Sequence, residues 1–197
     1  MVLPSGVTRL AGSDTIDPAG LRGTVSVLQI RGPSDSQAHQ VQVWRPPGPD
    51  SAVIPVLYYL PGDQGPARDP FAGGLARTLN QRLRAGYPPF VVASVDGNGD
   101  RLTGAAIPAV EGTHMRDAAH RAIAGFSMGG YGVMTIAMQN RGVFGLVVRP
   151  DADDQADAVT ALRQAFTFLT DGWRQAAADD AADSDSGFWN AVAGRPR

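Results

Sequence analysis

The fold class expected for this 197-residue chain is α/β, with a mostly parallel sheet flanked by helices. Three features predict it: short apolar runs the length of buried strands, helical stripes set between them, and Gly-rich loops where the runs end. At 20.6 kDa the chain suits one domain with a real core. A hydrophobic content of 43% against 18% charged residues argues against wholesale disorder, and 24 Gly with 15 Pro imply many turns.

The first 23 residues, rich in Gly, Pro, Ser and Asp, read as a loosely held arm. Residues 24–30 (TVSVLQI) and 40–44 (QVQVW) alternate and are β-branched, and the turn-rich RGPSDSQ between them predicts an antiparallel pair. After the break RPPGPD, residues 53–60 (VIPVLYYL) are apolar almost throughout, as a strand covered on both faces must be. Phe71, Leu75, Leu79 and Leu83 step by four and predict a helix over 70–85 that stops at Gly86. FVVASV (90–95) is a second buried strand, and 102–120 is weakly patterned. RAIAGF (121–126) predicts a strand entering Ser127-Met128-Gly129-Gly130, with a helix over about 131–140 and a last strand, FGLVV (144–148). Beyond it, Val159, Leu162, Phe166, Leu169 and Trp173 step by 3, 4, 3 and 4, which predicts an amphipathic helix over about 154–178. Residues 179–197 read as an acidic linker with a short apolar tail.

Composition narrows the function classes. With 17 basic and 19 acidic residues the formal charge is −2, so no broad basic face for nucleic acid is expected. The absence of Cys excludes disulfides, thiolate metal sites and cysteine nucleophiles. Asp96-Gly97-Asn98-Gly99-Asp100 resembles part of a calcium loop but lacks the Glu that would close one, so neither metal nor cofactor is expected. The N-terminus lacks the basic start and apolar run of a signal peptide, and no stretch approaches about 18 uninterrupted apolar residues. The expectation is a cytoplasmic protein without a membrane partner.

In open α/β sheets chemistry gathers at the carboxyl ends of strands, here the loops 61–65, 96–101 and 127–130. The last of these holds Gly125-Phe126-Ser127-Met128-Gly129, a G-x-S-x-G pattern between an expected strand and helix. That spacing suits a nucleophile elbow. The Ser occupies a tight strand-to-helix turn, Gly at the flanks avoids clashes, and the next helix aims its N-terminus at a developing oxyanion.

PVLYYLPGDQG, FVVASVDGNGDR and RAIAGFSMGGYGVMTIAMQNRGVFG together resemble the Putative esterase family of α/β-hydrolases, which includes esterase D and mycolyltransferases. The resemblance covers about residues 24–148. It implies carboxylic-ester hydrolysis of a small-molecule substrate, with Ser127 as nucleophile and the oxyanion held by the backbone N–H groups of Asp63 and Met128. The family's chain order is Ser, acid, His. Asp151, three residues past FGLVV, is the candidate acid, although a solvated acidic turn capping the next helix accounts for it more simply. Arg101 is the candidate contact for a substrate anion. His39, His114 and His120 all precede Ser127, so the family's His has no counterpart. Two readings therefore stand: a serine esterase with an incomplete triad, or a degenerate hydrolase that binds a ligand or protein. A sheet ending at FGLVV has an edge strand that needs cover, from the 154–178 helix, the simpler option, or from a second copy of the chain.

Overall fold

The computed structural model describes residues 8–14, 23–48, 54–62, 70–71, 74–96, 99–148 and 171. They build one seven-stranded sheet of order β1-β2-β3-β5-β4-β6-β7. Its strands are β1 (Thr8–Asp14), β2 (Thr24–Ile30), β3 (His39–Arg45), β4 (Val56–Leu60), β5 (Val91–Ser94), β6 (Arg121–Gly125) and β7 (Leu146–Val148). β5, β4, β6 and β7 run parallel, while β1, β2 and β3 join the β5 side through antiparallel pairs.

The expected hairpin forms, with Thr24 opposite Arg45 and Ile30 opposite His39. The arm departs from expectation: Thr8–Asp14 pairs along β2, with a register shift between Arg9 and Ala11. A Gly-rich segment with little alternation gives no period to read, and here the pairing comes from the open edge of β2.

Strand periodicity sorts the core into two layers. Val56, Tyr58 and Leu60 face one side with Val91, Ala93 and Ile123, while Leu57 and Tyr59 face the other with Val92, Ala122 and Ala124. The helix α1 (Leu75–Arg84) covers the second face through Leu75, Ala76 and Leu79. It begins later than expected, because Pro70 and Phe71 form a turn before it. The first face is covered by α4 (Met128–Gln139), through Val133 and Ile136, and by a helical run after β5. That run comprises α2 (Gly99–Arg101), a π-helical stretch Leu102–Ala106 and α3 (Ile107–Glu111). It starts inside the loop expected over 96–101 and continues through the first half of the weakly patterned segment 102–120. Leu102, Ala106, Ile107, Ala109, Val110 and Glu111 are all buried, so the run has no polar face to set up a period.

Glu111, the chain's single Glu, closes α3 onto the amino ends of the strands. Its Oε1 accepts from Tyr58 Oη at 2.9 Å and from Arg121 Nε at 2.7 Å. Its Oε2 accepts from Arg121 Nη2 at 2.9 Å and from the Arg116 backbone N–H at 2.7 Å. Burial, with Glu111 beside it, pushes the Tyr58 phenol far above its ordinary pKa. No helix among the described residues is long and apolar enough to cross a membrane. The expected helix over 154–178 and the acidic linker fall outside the described residues, save Asp171, which is helical and exposed.

Candidate active site

From β4 the chain crosses by α1 to β5 on one side, then returns past β4 to β6 on the other. The strand order reverses here, and a reversal opens a crevice beyond the carboxyl ends of β4 and β6. Ser127 stands at that end of the sheet, between β6 and α4. It adopts φ 52° and ψ −120° at the entry to α4, the one positive φ on a non-Gly residue among the described residues. A side chain holds such dihedrals only where its surroundings over-determine them.

The surroundings do so. Phe126 N–H donates to the Leu60 carbonyl at 3.2 Å, tying the exit of β6 to that of β4. Past the turn, Gly129 N–H donates to Phe126 O at 2.9 Å and Gly130 N–H to Ser127 O at 2.9 Å. Neither flanking glycine tolerates a larger residue. A Cβ on Gly125 would overlap the Gly129 carbonyl, and one on Gly129 would overlap Leu60 O and lie 2.7 Å from Pro61 O. α4 therefore starts against the backbone of the loop after β4, and it starts three residues earlier than expected.

Met128 follows the serine as the first residue of α4, where helix geometry provides no intrahelical acceptor for its N–H. Gly62 lies opposite, and a Cβ built on it would be 3.5 Å from Ser127 Cβ. The sequence had not singled out Gly62. Its signal was the Pro61-Gly62 pair ending an apolar strand, which marks a close approach of backbone. Asp63 and Asp151 lie outside the described residues.

Arg101, expected to offer its charge to a substrate anion, is instead committed to two carboxylates. Its Nε and Nη2 donate to Asp35 Oδ2 and Oδ1 at 2.7 and 2.8 Å, and Nη1 pairs with Asp96. The reason is the loop 31–38, which folds over the start of α2 and delivers Asp35. The bidentate Arg101 contact holds the Asp35 carboxyl well below the usual carboxylate range.

All three histidines lie among the described residues, and none is beside Ser127. His39 sits at the carboxyl-end edge of the sheet, with Nδ1 at 3.3 Å from Asp96 Oδ2. It opens β3, three strands from β6, which at about 4.8 Å per strand is about 14 Å from the serine. His120 immediately precedes β6, with Nδ1 at 2.7 Å from Asp117 Oδ1. About 23 Å of extended chain separates it from Ser127. The His114 carbonyl accepts from Arg116 Nη1 at 2.8 Å, and Arg116 Nε donates to Ile54 O at 2.7 Å. His114 is thereby held at the entry of β4, the opposite end from Ser127. Among the described residues no cluster of His, Asp and Glu has the makings of a metal site.

Residues 100–149 match the family model described as Putative esterase. No curated protein sequence matches the chain. Among solved structures, the feruloyl esterase module of Clostridium thermocellum superposes with a TM-score of 0.57 at 15% identity, covering 74% of this chain and 61% of that one. The ferulic acid esterase of Anaeromyces mucronatus, in complex with ferulic acid, gives 0.59 at 15% identity, over 69% of this chain and 60% of that one. An S-formylglutathione hydrolase from Agrobacterium tumefaciens gives 0.52 at 21% identity, over 70% and 60%. The chain thus spans about three fifths of the length of these structures. The fold is that of the α/β-hydrolases, and residues 100–149, the turn at Ser127 included, are similar to the Putative esterase family.

Proposed function

We propose that the chain is a serine carboxylic-ester hydrolase whose nucleophile is Ser127. The observation that carries the reading is the backbone of Ser127, held at φ 52° between Gly125, which packs against Gly129, and Gly129, which packs against the Leu60 and Pro61 carbonyls. Such a turn lifts the hydroxyl above the sheet and leaves the Met128 N–H beside it for an oxyanion. The Asp63 N–H is the proposed second donor, in support of which Gly62 already abuts the serine. Its carboxylate must point away, since negative charge would oppose the oxyanion.

Asp151 is the proposed acid. In β6 and β7, Ala124 pairs with Val148, and these residues stand three positions before Ser127 and Asp151 respectively. With His114 at the far end of β4, the base has to come from a partner chain or from the substrate. A triad serine without its histidine loses several orders of magnitude in rate. That loss supports the second reading, a hydrolase fold kept as a ligand- or protein-binding module.

A fluorophosphonate probe followed by intact-mass measurement separates the two. Stoichiometric labelling that disappears in Ser127→Ala is the expected result. A folded protein left unlabelled over hours excludes an activated serine and leaves the binding module.

A further inference from the structure

Four ionisable side chains close a ring at the carboxyl-end edge of the sheet. Arg101 donates through Nε and Nη2 to Asp35 and through Nη1 to Asp96. His39, the first residue of β3, stands between the same two carboxylates. Its Nδ1 is 3.3 Å from Asp96 Oδ2 and its Nε2 is 3.9 Å from Asp35 Oδ1. The charged groups that face the imidazole are thus Asp35 from its own hairpin, Asp96 from the loop after β5 and Arg101 from α2. The side chains of Arg101 and Asp35 are only 10% and 12% exposed, so water screens their charges poorly.

We propose that His39 is the proton-operated catch of a clasp that holds the hairpin loop 31–38 on the helical run after β5. The first support is a count of charge. Asp35 and Asp96 bring two negative charges and Arg101 one positive, so the ring balances only when His39 is an imidazolium. The second is donor geometry. A neutral imidazole has one N–H and one lone pair, so with a carboxylate near each ring nitrogen it serves one and turns its lone pair on the other. An imidazolium offers an N–H to both. The loop itself depends on such polar contacts, because Ser34, Ser36, Gln37 and Ala38 are all exposed. Where it lies down it fits closely: a Cβ on Gly32 would be 3.3 Å from Arg101 Cα, and one on Gly104 3.2 Å from Pro33 Cγ. Closure takes up a proton, so the clasp tightens as pH falls and loosens as it rises. The window runs from about pH 8 to about pH 5.5, where histidine changes charge and aspartate does not. The clasp does not depend on any activity at Ser127.

Hydrogen exchange on the intact chain reads the clasp at two amides. Gly32 N–H donates to Asp35 Oδ2 at 2.8 Å, and Asp35 N–H donates to Gly32 O at 3.2 Å. With each rate taken relative to the intrinsic rate at the same pH, protection of these amides is expected to be about threefold higher at about pH 5.5 than at about pH 8. His39→Gln, which cannot take the proton, is expected to abolish the difference. Protection that does not change with pH in the unaltered chain overturns the proposal, and so does an equal change in His39→Gln. Asp96→Asn guards against a variant that fails to fold. It leaves the imidazole a single carboxylate and is expected to cut the difference by at least about half; an undiminished difference there also overturns the proposal.

Discussion

Single residues carry the geometry of the candidate site, and Gly129 carries most of it. Its missing side chain lets α4 begin against the carbonyls of Leu60 and Pro61, which keeps the loop after β4 beside Ser127. Gly129→Ala is expected to cost about 1–3 kcal/mol through overpacking against backbone that has no room to yield. It also pushes that loop away from the serine. A lower midpoint in urea together with slower fluorophosphonate labelling is the expected pair of results; an unchanged labelling rate would separate the loop from the chemistry. The tight turn at Ser127 was legible in the sequence, because G-x-S-x-G between a strand and a helix is a local pattern. The fate of Arg101 was not, because Asp35, which takes its guanidinium, lies 66 positions away.

At the scale of elements, the run after β5 shows where periodicity fails. Amphipathic α1 was readable because one face meets the sheet and the other meets water. The run 99–111 lies against the sheet with apolar residues on nearly every side, and a π-helical stretch breaks its register. What fixes it in place is the buried Glu111, whose two oxygens serve Tyr58, Arg116 and Arg121. Removing that charge leaves Arg121 without its counterion in a site where Arg121 is only 10% exposed. Glu111→Gln is therefore expected to destabilise by roughly 3–5 kcal/mol. Chemical denaturation checks this, and a change under about 1 kcal/mol would show the network to be dispensable.

For the whole molecule, charge sets the acid limit of stability. Asp35 has its carboxyl pKa lowered in the fold, chiefly by the Arg101 hydrogen bonds. Such a group contributes stability above the unfolded carboxylate pKa of about 4 and loses it as pH falls further. Thermal midpoints are expected to hold near neutrality and fall below about pH 4, and Asp35→Asn should flatten that acid limb. An equally steep limb in the variant would move the effect to other carboxylates. The sequence by itself determined the α/β class, the parallel core strands and the serine turn, since each is written in neighbouring residues by period and by glycine placement. Only the tertiary structure decided that the N-terminal arm supplies a strand, that Arg101 is held by Asp35 and Asp96, and that the histidines stand away from Ser127. Those outcomes depend on which distant segments the sheet order brings together, and strand order is a property of the packed chain that no local pattern records.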